Sequence, residues 1–381
     1  MARIHRTIHR TIIFIFITIF LCISTGVNPC DTGTEQKPVK VDIIEKTQVR
    51  LLLIDAIIED RKENQVRGMT KDDFHLFIDG FEKPISVFEE HCSESYVERK
   101  EFLQNQASLS DSAVYEEVSE PRYIIFCFGS SRPALGGPYE AVKAATQFVL
   151  HNMRSSDRVM VASFVNDIKV IQPFTSDRQK LLHAIDEIKK ITPLHFESMP
   201  CIAGPGKFGF MLDDDDMGNR IAIGNFRSLI ALLAPIRERK ALVYFCSSLY
   251  LTPGLSRLVN EINSARISVY TVDMAGLTAP GQRRGEDYIF NAFSSLSIDT
   301  GGKVLKWSND LTRYIPVVEK DLSCYYLIGC YLDKEPDGKQ HALSLIARET
   351  GLIVRSRTGF VYFTEEQLKS QKEKSRALIN P

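Results

Sequence analysis

The 381-residue chain has almost no surplus charge of either sign: 47 lysines and arginines face 48 aspartates and glutamates, for a formal net charge of −1. Nucleic acids and anionic bilayers recruit proteins through a basic excess, so neither is expected as a partner. The short patterns that carry common chemistries are also missing. The eight cysteines contain no Cys-x-x-Cys pair and no zinc spacing. Gly204, Gly206 and Gly209 are not followed by Gly-Lys-Ser/Thr, which excludes a phosphate loop. Gly129-Ser130-Ser131-Arg132-Pro133 falls where a strand turns into a helix, but Pro133 stands where a hydrolase nucleophile elbow needs glycine. His75, His91, His151, His183, His195 and His341 show no convergence on a nucleophile. Catalysis is not expected, and neither is a cofactor or a metal.

Long apolar runs are missing too. The longest, residues 12–23, is broken by Thr18 and falls short of the roughly 20 residues that span a bilayer. Arg3, Arg6 and Arg10 precede it, and Ser24, Thr25 and Gly26 follow, which is the layout of a secretory signal over residues 1–26. Cleavage is expected after Ser24 or Gly26, and the alternative is an uncleaved membrane anchor. The residues before Cys22 and Cys30 are not the small pair that lipid modification wants. The expected location is secreted or periplasmic, where disulfides form.

What is present is ordinary globular material, with 44% hydrophobic residues, enough for real cores. A β-rich block is expected over 40–92. Residues 49–58 form a nearly continuous apolar strand, and Phe74, Leu76 and Ile78 alternate with polar and exposed positions. Asp79-Gly80 is a hairpin turn, with Ile85, Val87 and Phe88 as the returning strand. Residues 93–121 are acidic and serine-rich, and read as a linker. From 122 to 322, strands and amphipathic helices alternate. Strands are expected over 123–128, 159–165, 241–246 and 267–272. Helices are expected over 139–153, from a cap at Ser176 with Gln179 completing a capping box, over 226–237, 255–265, 291–299 and 310–322. Such alternation argues for a doubly wound, mostly parallel sheet with helices on both faces. Strands return over 323–363, and 364–381 is a charged tail.

Several stretches, taken in their order along the chain, resemble the bacterial von Willebrand factor A-related proteins of the Acidobacteria type. They are the Gly68 turn, Asp72-Asp73-Phe74, Asp79-Gly80, the strand at 239–245, Thr300-Gly301-Gly302, Tyr325-Tyr326-Leu327-Ile328-Gly329 and Arg355-Ser356-Arg357-Thr358-Gly359-Phe360. The resemblance covers roughly 49–363. It implies an A-like α/β domain inserted between N- and C-terminal strands that together form a β-sandwich.

In open α/β sheets ligands bind beyond the carboxyl ends of the strands. The resemblance implies a divalent ion there, held by an Asp-x-Ser-x-Ser loop with a further Thr and Asp, because Mg²⁺ wants hard oxygen ligands. This chain departs from that pattern. Gly129 stands at the Asp position, Ser131 keeps the first Ser, Pro133 replaces the second, and Cys246-Ser247-Ser248 carries no acid. The expectation is a degenerate metal site. Gly129, Ser130, Ser131, Arg132, Ser247 and Ser248 are then candidate contacts to a protein or envelope component, with the loops 129–137, 247–253 and 200–219 around them. A metal-dependent adhesion domain and a membrane-tethered structural protein are the alternatives. The acidic run Asp213 to Asp216 lacks the spacing of a calcium loop and reads as a solvated loop. Cys127 and Cys246 end neighbouring strands, either bonded or as buried thiols. A bridge from Cys92 to Cys324 or Cys330 would tie the two β blocks.

Overall fold

The computed structural model describes residues 50–92, 121–129, 137–164, 167–191, 211–246, 254–274, 276–277, 286–370 and 373. A central sheet is built from β5 (Tyr123–Gly129), β6 (Arg158–Phe164), β7 (Ile168–Thr175), β8 (Lys240–Cys246), β9 (Ile267–Asp273) and β10 (Val304–Leu305). Its strand order is β10-β9-β8-β5-β6-β7, parallel throughout except for the β6/β7 edge pair. Counted along the sheet, that is the 3-2-1-4-5-6 order of a doubly wound fold, with its third strand reversed. Every residue of β8 and β9 is buried, as expected for parallel strands covered on both faces.

Period-2 alternation assigns the strand residues to two layers. Ile124, Phe126 and Phe128 face one core with Val159, Val161, Val243 and Phe245. The helices α1 (Gly137–Gln147) and α2 (Arg178–Ile191) cover that face. Ala141, Val142, Ala145, Phe148 and Val149 form the stripe that α1 and one wide turn after it bury. Leu181, Ala184, Ile185 and Ile188 do the same on α2. Ile125, Cys127, Leu242 and Tyr244 face the other way. There α3 (Met211–Leu233), α4 (Leu255–Ser264) and α5 (Glu286–Ile298) close the second core. Helix α6 (Ile315–Ser323) returns to the first face.

Two antiparallel sheets flank this domain. One has the order β13-β1-β11-β4, from Ile353–Ser356, Arg50–Glu59, Cys324–Leu332 and Val87–Cys92. The other is β14-β12-β2-β3, from Gly359–Val361, Gln340–Ala347, Phe74–Ile78 and Phe81–Lys83. Ile54, Ala56 and Ile58 meet Phe74, Leu76, Tyr326, Ile328 and Leu345 in a shared core. The architecture is therefore a von Willebrand factor A-like α/β domain whose chain runs between the two halves of an N- and C-terminal β-sandwich. Where the chain leaves and re-enters the sandwich, Cys92 and Cys324 stand opposite each other on β4 and β11 and are disulfide-bonded. Such a bond belongs to an oxidising, extracytoplasmic compartment. Cys127, Cys246 and Cys330 are buried and take no part in that bridge.

Four local expectations are corrected. The Asp79-Gly80 turn is a two-residue hairpin with both residues left-handed (φ 52° and 81°), but its returning strand is Phe81–Lys83. Val87 and Phe88 instead cross to the other sheet and pair with β11. The cap of α2 is Asp177, whose carboxylate accepts the amides of Gln179 and Lys180; Ser176 lies one residue too early. The run Asp213 to Asp216 is helical, within the first turns of α3. An edge strand, β7, was not anticipated, and α3 begins well before 226. Among the described residues no helix is long and apolar enough to cross a membrane. The segment 1–49, where the signal is expected, and the segment 93–120, within the expected linker, lie outside the described residues.

Candidate functional site at the carboxyl edge of the sheet

The sandwich sits against the amino edge of the parallel sheet. Arg266, just before β9, donates to Asp55 of β1 at 2.6 Å. Lys303, just before β10, pairs with Glu59 at 3.0 Å. Arg355 bridges Glu59 (2.9 Å) and the fully buried Asp321 (2.7 Å). Arg357 donates to the Leu53 and Asn263 carbonyls. Burial would raise the Glu59 carboxyl, but Arg355 and Lys303 outweigh it and hold it below the usual carboxylate range. With that edge covered, the carboxyl edge remains for a ligand.

The switch point lies between β5 and β8. The chain after β5 turns into α1 on one face, and the chain after β8 turns into α4 on the other. Gly129 ends β5 there. A Cβ on it would stand 2.7 Å from the Tyr244 hydroxyl, so the tyrosine occupies the space a side chain would need. Tyr244 is held from behind by Phe226 (ring centroids 5.1 Å) and Phe164 (5.8 Å), and burial pushes its phenol well up. A side chain at Gly129 would therefore have to displace the Tyr244 ring of the neighbouring strand. Next to it β8 ends in the buried thiol Cys246. A glycine and a soft thiol do not suit a hard dication that wants carboxylate and hydroxyl oxygens. Among the described residues no group of His, Cys, Asp and Glu is arranged to hold a metal. Ser130, Ser131, Arg132, Ser247 and Ser248 lie outside the described residues, as does most of 200–219.

Three segments interlock around this edge. Gly137, at the start of α1, lies against the Met274 backbone; a Cβ there would stand 2.1 Å from the Met274 carbonyl oxygen. The Leu277 amide donates to Asn309 Oδ1 at 2.8 Å, and the positive φ of Gly276 (67°) lets that turn close on Asn309. Lys143 of α1 lies 3.3 Å from Glu140 and 3.9 Å from Asp310, which caps the next turn through Thr312. Asp273, at the end of β9, is fully buried and engaged.

Three large apolar side chains on these segments are exposed. Tyr139 is 65% exposed, Leu277 62% and Trp307 42%. Trp307 is also held at φ 69°, a conformation that costs a bulky residue energy and that clusters at functional sites. Lys306 lies 5.4 Å from its ring centroid. None of the three was singled out in the sequence. The available signal was that Trp307 is the chain's one tryptophan, placed just past a strand end. The histidines His75, His91 and His341 are in the sandwich, beside Glu82, Glu89 and Asp79, and His183 pairs along α2 with Glu187.

No family model matches the chain, and no curated protein matches it. Among solved structures, the chain is similar to an aerotolerance-related membrane protein from Bacteroides fragilis, with TM-score 0.35 and 14% identity over 53% of this chain and 98% of that one. It is similar to BatB from Bacteroides thetaiotaomicron, with TM-score 0.35 and 15% identity over 53% and 97%. It is similar to the manganese-loaded TRAP protein of Plasmodium vivax, with TM-score 0.32 and 8% identity over 71% and 96%. Likenesses this distant carry no functional argument; the fold stands on its own strand order.

Proposed function

We propose that the chain is an exported, non-catalytic binding module whose carboxyl-edge surface takes a protein or envelope partner through apolar and aromatic contact, without a bridging metal ion. The observation that carries this reading is Trp307, exposed and held left-handed on a turn that Asn309 locks to the Leu277 segment. Exposed aromatics on a rigid support anchor protein interfaces, because they bury much area at little entropic cost. Ser130, Ser131, Arg132, Ser247 and Ser248 would form the polar rim. Removal of residues 1–26, a linker over 93–121, sandwich halves at 40–92 and 323–363, an A-like domain over 122–322 and a tail at 364–381 are part of the same proposal.

The test is binding of the purified chain to envelope fractions of the producing cell, with Trp307→Ser, Leu277→Ser and Arg132→Glu as probes and Phe81→Ser in the sandwich as control. Loss of binding in the first three, with Phe81→Ser unchanged and EDTA without effect, supports the reading. Loss with EDTA and recovery with Mg²⁺ or Mn²⁺ would instead favour metal-dependent adhesion. The mass of the chain recovered from cells separates an exported module from one tethered by its first 26 residues.

A further inference from the structure

A recess lies away from the carboxyl-edge surface. It is a cleft of about 760 Å³ where α4 and the end of α5 meet the turn after β2 and the start of β12. That volume is in the range of small-ligand sites. Ser256, Asn260, Ser295 and Asp299 line it from the α/β domain, and Asp79 and His341 from the sandwich.

The charge of these walls follows from the hydrogen bonds. His341 Nδ1 lies 2.7 Å from Asp79 and its Nε2 lies 3.1 Å from Asp337. A neutral imidazole has one N–H, so satisfying both carboxylates requires the imidazolium. The ring stacks on Phe360 at 5.3 Å, which fixes the group in the wall. One cation thus faces two carboxylates there. Across the cleft stands Asp299, half-buried, with Ser295 and Thr358 as its side-chain hydrogen-bond donors. Among the described residues it makes no salt bridge. Burial accordingly raises its carboxyl. Asp79 and Asp337 are further offset by Lys334 and Lys339, so Asp299 is the carboxylate of the cleft that no cation compensates. Asn260 and Gln340, joined by a 3.2 Å amide hydrogen bond, give the floor neutral polar groups. A partly desolvated carboxylate gains most from a cation that can also hydrogen-bond.

We propose that this cleft binds an organic cation, a guanidinium or ammonium group, seated between Asp299 and the Asp79–His341 pair. The group can belong to a free amine or to a basic side chain of a peptide. The test is titration of the full chain with agmatine, with end-capped Gly-Arg-Gly and with the same peptide carrying citrulline, the uncharged isostere of arginine. Saturable binding of an arginine-type cation, at least tenfold weaker for citrulline and at least tenfold weaker in Asp299→Asn, is the expected result. Agmatine binding as well as the arginine peptide means that the free cation suffices; binding of the peptide alone assigns the cleft to a basic protein segment. Ser256→Lys, on the exposed side of α4, supplies a tethered ammonium and should abolish binding without touching Asp299. Equal affinity for arginine and citrulline peptides, no saturable binding of either cation, or indifference to both variants overturns the proposal. Trp307→Ser leaves this cleft intact, so failure of the carboxyl-edge surface and failure of the cleft are separate results.

Discussion

The two edges of the parallel sheet invert the usual division of residues. At the amino edge, charged groups are withdrawn from water: Glu59, Asp321 and Arg357 are buried, and Asp55, Arg266, Lys303 and Arg355 half-buried, between the sheet and the sandwich. At the carboxyl edge, large apolar groups are exposed on interlocked turns. A buried ion pair adds little net stability over an apolar contact, yet breaking it leaves an uncompensated charge. The amino edge therefore punishes misdocking, which suits an inserted domain that enters and leaves through the Cys92–Cys324 junction. The carboxyl edge keeps apolar area in water, which is useful only if something later covers it.

Breaking the sealed edge should have the largest effect. Arg355→Met removes one of the two cations on Glu59 and the ion-pair partner of the fully buried Asp321, one of whose oxygens already lacks a hydrogen bond. Urea unfolding is expected to show a loss of about 3–5 kcal/mol. A stability equal to that of the parent chain would mean that the edge is not sealed by charge. Next comes the junction. Replacing Cys92 and Cys324 together by alanine is expected to cost about 2–4 kcal/mol, and a reductant should lower the melting temperature of the parent chain but not of the variant.

The open edge should respond in the opposite sense. Trp307→Gly relieves a left-handed conformation, so stability is expected to hold or rise by up to about 1 kcal/mol while envelope binding falls. A marked loss of stability would show Trp307 to be a packing residue and remove the contrast between the edges.

The smallest effect is electrostatic, in the sandwich. Burial opposes the His341 imidazolium, but Asp79 and Asp337 outweigh it and hold its pKa above 6.5. Its contribution is full below 6.5 and disappears as pH rises through the raised value. Asp79 and Asp337 are held below 3.8, so their contributions are present above 3.8 and disappear as pH falls through the lowered values. Melting scans against pH should show the alkaline decline begin just above 6.5, and His341→Gln should remove it at a cost of about 0.5–1 kcal/mol. Identical pH profiles for the two chains would mean that the imidazolium is not part of the fold.

Much of the fold was legible where one residue pattern implied one environment. The buried strands β5, β8 and β9 announced themselves as continuous apolar runs, and α2 as a 3-and-4-spaced stripe. Asp79-Gly80 could make only a tight hairpin turn. The strand β7 was hidden because Pro173 sits in it and its outward residues are mixed, as an edge strand allows. Val87 and Phe88 were assigned to the wrong sheet because an apolar pair says that it is buried, not against what. The cap of α2 was misplaced by one residue because Ser176 and Asp177 are both good caps, and backbone geometry chooses between them.

The candidate site was less legible. Gly129 could be read as a strand end without a carboxylate, but its close approach to the Tyr244 ring depends on which residues parallel strands bring side by side. Tyr139, Leu277 and Trp307 are distant in the chain, and each follows a different strand of the sheet, β5, β9 and β10. The amino-acid sequence by itself determined the alternation of elements, the two β blocks and the pool of cysteines that could join them, since these follow from local periodicity and composition. Only the tertiary structure decided which edge of the sheet is sealed, which is open and where the cleft lies. Those depend on contacts between residues up to some three hundred positions apart, such as Glu59 with Arg355, and local pattern carries no record of them.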